Sequence, residues 1–443
     1  MILLENGIIV TSEKEEKGTI VIENGKIHDV LYSTGQDYPL NVCNYRKQSE
    51  EVVDLEGKHV IAGGIDAHVH FREPGLTHKA DMSTESLAAV AGGVTSVMDM
   101  PNTSPATTSA AALREKIDIA KGRTATKISF HIGATNDNVE EICRLVTDGD
   151  PENEITPDDI AGVKVFMGSS TGNMLVDEAV TLEKLFSINN KPVLVHCEDE
   201  ATIKANLAEA ISRYGDDIPF EEHENIRSRK ACIKSSIKAL EMAIRHGTRL
   251  VLCHISTKEE IEMARAAKLS NPGIIAETSC NYLWFCNEDY ARLGSKAKCN
   301  PSIKTAEDRA ALRAALAEGL IDTIGSDHAP HLLSEKEGTY CKAPSGLPSI
   351  QQSLPVLLTI AKQEDIPLTR IAAVFSENAA DLYGLNCGKI RKGYDADLVV
   401  FDYSSEFTVE QKDQKSKCGW TPYEGVTLRG VIDSVYVNGQ KII

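Results

Sequence analysis

Eight short apolar runs recur along the middle of the chain, and stretches of helix formers separate them. The runs are VIAGGIDAHVHF, TSVMDMPN, ISFHIGAT, AGVKVFM, PVLVHCEDE, RLVLCHIS, GIIAETS and DTIGSDHAP. Segments such as SAAALREKIDIAKG and IKALEMAIRHG lie between them and read as helices. Strand alternating with helix means a parallel sheet. Eight such units fit a closed (β/α)8 TIM-like barrel over residues 60–380, an α/β fold. An open doubly wound sheet is the alternative. No glycine-rich dinucleotide fingerprint follows the first run, which counts against it.

The two ends read differently. GTIVIENGKIHDV near the N-terminus is strand, turn, strand, and DADLVVFDYSS and DSVYVNGQKII near the C-terminus repeat the style. Asn24-Gly25 and Asn438-Gly439 are hairpin signals, because both central positions of a tight type I′ turn need positive φ. Residues 1–59 and 381–443 are therefore expected to build one small composite β-sandwich domain. Two unrelated hairpins resting on the barrel are the alternative.

Composition narrows the class. At 42% hydrophobic and 25% charged, the 443 residues are globular and need no staples. A net charge of −18 repels phosphate, which argues against nucleic acid or an anionic membrane surface as partner. The eleven cysteines are odd in number and include no Cys-x-x-Cys pair, so they read as reduced thiols. MILLENGIIV carries Glu5 and no basic start, unlike a signal peptide, and no run reaches the length of a membrane span. A cytoplasmic protein is expected.

In such barrels the chemistry sits at the carboxyl ends of the strands, so the polar residues closing each run should form one coherent set. They do. His68 and His70, at i and i+2, share one side of the first strand; His196, His254 and Asp327 close later ones. Imidazole and carboxylate at this density suit zinc and similar divalent ions. Lys164 lies between valines in GVKVF, where a buried ammonium needs compensation. One reading is an ion pair with a neighbouring acid. The other is a carbamate on its amine, an anion able to bridge two metals; four histidines in the same ring favour it.

DLEGKHVIAGGIDAHVHFREPG, VMDMPNT, VKVFM, VHCEDE and SDHAPH, in that order, resemble the amidohydrolase superfamily. More closely they resemble its dihydroorotases of the type with a carbamylated lysine. The resemblance implies two divalent metals, usually zinc. His68, His70 and Asp327 would hold one, His196 and His254 the other, with carbamylated Lys164 and a hydroxide bridging them. It implies Asp327 as general base and acid in the reversible hydrolysis of L-dihydroorotate to N-carbamoyl-L-aspartate, a step of pyrimidine synthesis, and a homodimer.

The resemblance also places Arg72, Asn102 and His331 around the substrate's carboxylate. A guanidinium with amide and imidazole donors is chemically suited to that task. Taken singly, Arg72 could instead pair with Glu73, and Asn102 could be a turn residue after Pro101. Allantoinases and hydantoinases (dihydropyrimidinases) are the near alternatives; they share the metal set and lack the Arg of HFREP and the second His of DHAPH. A metal-free assembly partner is the remote one. Gly346 in APSGLPSIQQSLPVLL would allow close backbone approach to the ring, and Asn300 resembles a segment beside the substrate. Ser170 and Thr171, in GSSTGN, are a candidate mobile lid. His131 reads as structural, and His328 as pointing away from Asp327.

Overall fold

The computed structural model describes residues 1–168 and 174–443. Two eight-stranded sheets organise it. The barrel sheet runs in sequence order: β1 (Gly64–Val69), β2 (Val94–Asp99), β3 (Lys127–Gly133), β4 (Ile160–Phe166), β5 (Val193–His196), β6 (Leu250–Leu252), β7 (Ile274–Thr278) and β8 (Thr323–Ile324). Every neighbouring pair is parallel. A parallel bridge between Val69 and His328 joins the last run to the first, and His70 N donates to His328 O at 2.8 Å. The strands are near-continuous apolar runs because both their faces are covered.

The expected helices are present. SAAALREKIDIAKG forms Ala110–Ala120, with the Ser109 side chain accepting from Ala112 N. Arg229–His246 ends at Gly247, whose φ of 66° reverses the chain as an L side chain rarely could.

The terminal strands form the second sheet, which is one connected hydrogen-bonded unit. Ile2–Val10 pairs antiparallel with Glu15–Glu23, and parallel with both Glu51–Asp54 and His59–Ala62. His59–Ala62 in turn pairs with Leu398–Thr408 from the C-terminal part. Asn24-Gly25 and Asn438-Gly439 have the positive φ of type I′ turns, and the two turns touch: a Cβ on Gly25 would lie 2.9 Å from Asn438 O.

The first apolar run is not one strand. It serves the terminal sheet to Ala62 and the barrel from Gly64. The step between sheets leaves no room for side chains. A Cβ on Gly63 would lie 2.1 Å from Thr95 Oγ1, and one on Gly64 2.4 Å from the Phe375 ring. No helix among the described residues is long and apolar enough to cross a membrane.

Candidate metal centre

The ends of β1, β4, β5 and β6 and the segment after β8 converge on a cavity of about 260 Å³. His68, His70, Arg72, Asn102, Lys164, His196, His254, Asn300, Asp327, His331 and Gly346 all line it. Ser170 and Thr171 lie outside the described residues.

Three of these side chains are aimed by unusual backbone. Arg72, His254 and Asp327 have φ of 66°, 38° and 49°. A left-handed conformation at a residue with a Cβ is strained, and it persists where the surroundings over-determine it. Each lies just beyond a strand, where the kink turns its side chain toward the barrel axis.

Asp327 Oδ1 lies 3.0 Å from His70 Nε2 and 3.5 Å from His68 Nε2. Burial alone would raise the Asp327 pKa. The hydrogen bond with His70, among the surrounding His68 and His254 rings, outweighs it and holds the carboxyl well below its usual range. It is therefore ionised. His196 Nδ1 meets His254 Nε2 at 2.9 Å. Burial depresses the pKa of His68, His196 and His254, so these imidazoles are neutral and can offer lone pairs.

The outer nitrogens explain the orientation. His68 Nδ1 is 2.7 Å from Glu277 Oε1, and His70 Nδ1 is 2.7 Å from Asn102 Oδ1. His196 Nε2 is 3.0 Å from Glu198 Oε2, whose charge Arg227 Nη1 balances at 2.8 Å. On His68 and His70 an acceptor keeps the proton on the outer nitrogen and leaves the inner nitrogen's lone pair free to ligate, an arrangement metal-binding histidines share. The bond to His70 also gives the Asn102 oxygen a structural task beside its expected one.

The donor set fits divalent ions. Neutral imidazole nitrogens and an ionised carboxylate face one volume, and His254 Nδ1 is buried without a hydrogen-bond partner among the described residues. Lys164 is 1% exposed. Its Nζ lies 3.4 Å from Cys253 Sγ, and among the described residues no carboxylate comes within ion-pair distance of it. The alternative of an ion pair for Lys164 thus finds no partner there.

Arg72 is not paired with Glu73, which instead takes Arg123 at 2.9 Å. Arg72 Nε donates to Pro330 O at 3.0 Å, and Nη2 lies 3.1 Å from His331 Nε2. Lys79 Nζ stands 3.1 Å from His331 Nδ1. Gly346 has a φ of 142°, and a Cβ there would lie 2.5 Å from Ala329 O, so chain packing itself demands glycine. Asn300 Oδ1 is buried without a partner among the described residues. His131 Nε2 bonds Ala67 O, a structural role, and His328 points away to Glu85 at 2.7 Å.

Sequence reasoning missed Glu277, Glu198 and Lys79. Glu277 carried a signal: an acid inside the apolar run GIIAETS has nowhere to point but the barrel interior or its helix layer.

A sequence model of the amidohydrolase family matches residues 59–442. The chain is 33% identical over 435 residues to a dihydroorotase of Methanosarcina mazei, covering 96% of this chain and 90% of that protein. It is 29% identical over 455 residues to an allantoinase of Desulfitobacterium hafniense, covering 100% and 95%. Among solved structures, an L-hydantoinase (dihydropyrimidinase) from Arthrobacter aurescens superposes with a TM-score of 0.90 at 26% identity, covering 100% of this chain and 95% of that one. With a family match over most of its length and the donor set converging in one cavity, the chain belongs to the amidohydrolase family and is a metal-dependent hydrolase.

Proposed function

We propose that the protein is a dihydroorotase, hydrolysing the cyclic amide of L-dihydroorotate reversibly to N-carbamoyl-L-aspartate. One observation carries the choice of substrate. Arg72 and His331 meet at 3.1 Å in the wall of the cavity that also holds the metal-binding side chains. A buried guanidinium beside imidazole is a carboxylate cradle, and neither allantoin nor hydantoin offers the equivalent ring carboxylate.

His68, His70, His196, His254 and Asp327 would hold two divalent ions, zinc in our reading, with Lys164 as a bridging carbamate. Bound there, the ions would supply Lewis acidity toward the ring carbonyl and acidify a water. The remaining work falls to the chain. Arg72, Asn102 and His331 fix the carboxylate, which orients the ring with its amide toward the histidines. Asp327, held ionised by His70, takes the proton of the attacking water. It then returns that proton to the ring nitrogen as the amide bond breaks. In the reverse direction the same carboxylate removes the proton from the ureido nitrogen as the ring closes.

The test is Arg72→Met. Losing a charge-assisted, bidentate contact removes about 1.5–3 kcal/mol, so KM for L-dihydroorotate should rise roughly 10- to 150-fold with metal content unchanged. An unchanged KM removes Arg72 from the carboxylate site and the main ground for this substrate.

A further inference from the structure

Two lysines stand behind the cavity wall without an acid to balance them. Lys336 is 1% exposed and does not line the cavity. Its Nζ donates to the carbonyls of Pro344 at 2.8 Å, Gly346 at 3.1 Å and Lys298 at 3.2 Å. Lys298 Nζ donates to the carbonyls of Tyr340 and Ala343, both at 2.6 Å. Among the described residues neither ammonium has a carboxylate within ion-pair distance, and the nearest aromatic face to Lys336 is Trp420, 6.0 Å away.

Burying an uncompensated cation is costly, and burial pushes the Lys336 pKa down to about 7 and that of Lys298 to about 8. Here the cation is repeated. Arg72, Lys79, Lys298 and Lys336 cluster around His331 and the Pro344–Gly346 wall, with Glu335 as the acid beside Lys79. Lys336 is felt on the cavity side: its charge, with those of Arg72 and Lys79, adds to burial in holding the His331 imidazole neutral. A chain with a net charge of −18 thus keeps a positive region beside this one cavity. In a low-dielectric interior such charge acts over several ångströms.

The bonds also set the shape of the wall. In a trans peptide the C=O and the following N–H point in opposite directions. Holding Pro344 O on the Lys336 side turns Ser345 N–H the other way. Ser345 O is taken by His331 Nε2 at 3.1 Å and Gly346 N by Lys298 O at 2.9 Å, so the wall is fixed at each residue.

We propose that Lys336 is a positioning residue that sets substrate specificity. It holds the Pro344–Gly346 wall from behind and, in its protonated form, supplies a positive charge that favours substrates bearing a carboxylate next to Arg72 and His331. This rests on the dihydroorotase reading. A scaffold role alone would damage all substrates alike, whereas a charge role damages the anionic one selectively.

The experiment compares L-dihydroorotate with its uncharged methyl ester at pH 6, where Lys336 is protonated, on wild type, Lys336→Met and Lys336→Arg, each metal-replete. Wild-type turnover of L-dihydroorotate comes first; its absence overturns the substrate reading and this inference together. With wild type active, Lys336→Met should raise KM for the acid at least tenfold, with KM for the ester changing less than threefold. Lys336→Arg, which keeps the charge, should recover most of the preference for the acid. Equal losses on both substrates, or none on either, overturn the inference and leave the dihydroorotase reading standing. If Lys336→Met does not fold, Lys336→Arg and Lys298→Met decide. Loss of the acid preference in Lys336→Arg, or an unaltered preference in Lys298→Met, counts against the charge.

Discussion

Glu277→Gln separates metal binding from fold more cleanly than any change to a ligand. Glu277 Oε1 accepts from His68 Nδ1 at 2.7 Å, and both side chains are 1% exposed. Glutamine keeps the volume and an acceptor but removes the charge. A hydrogen bond to an ionised acceptor is about twice as strong as a neutral one, so His68 loses roughly 1–2 kcal/mol of support as a ligand. Metal affinity should fall about 5- to 30-fold, toward the lower end of the usual cost of losing such a brace. The metal-free protein should respond with the opposite sign. Burial raises the Glu277 pKa to about 7, so above that pH the fold carries a carboxylate it disfavours, and glutamine relieves this. The assays are a competition titration with a chromogenic chelator and thermal melting of metal-free protein at pH 8. Weaker metal binding with equal or higher Tm is the expected pair. Unchanged affinity in a folded variant would falsify the brace, and a lowered metal-free Tm would show that Glu277 acts through the fold.

Asp327→Asn should keep much of its metal but lose nearly all turnover; near-normal kcat in a metal-replete sample refutes the acid–base role of Asp327. Lys164→Ala should lose metal and activity, with partial return on adding short carboxylic acids. An unmodified amine seen in a metal-loaded, active crystal would remove the carbamate. The metal-free protein should lose stability as pH falls below about 6.5. His68, His131, His196, His223, His254 and His331 all have depressed pKa values in the fold, so below pH 6.5 the unfolded chain binds their protons and the native state does not. Asp66 and Glu277, both raised to about 7, work the other way but are outnumbered. Each net proton is worth about 1.4 kcal/mol per pH unit. Denaturant unfolding at pH 8, 6.5 and 5 checks the sign, and stability that is flat or rising toward pH 5 contradicts it.

The barrel was legible because parallel strands covered on both faces are apolar throughout, so a histidine or aspartate closing a run stands out. The hairpins were legible because Asn-Gly is the chemistry a type I′ turn demands. The sheet change at Gly63-Gly64 was not, since VIAGGIDAHVHF has the apolar continuity of one strand and only the tertiary neighbours Thr95 and Phe375 explain the glycines. The braces on the histidines were hidden for a different reason. Glu277 and Asn102 act on partners 209 and 32 residues away, and no local spacing marks such a pair. Nor could sequence show the left-handed backbone of Arg72, His254 and Asp327, because none is glycine and the strain is imposed from outside. Lys336 sits in the charged SEKEG stretch with nothing local to mark it, and only its burial sets it apart.

The central claim is that this metal site serves a ring bearing a carboxylate. Steady-state rates of metal-replete protein on L-dihydroorotate, N-carbamoyl-L-aspartate, allantoin and a hydantoin test it directly. Turnover confined to the first two is the result predicted from Arg72 and His331. Turnover of allantoin or the hydantoin with none of L-dihydroorotate would contradict it, keeping the metal chemistry and assigning the cationic wall to another task.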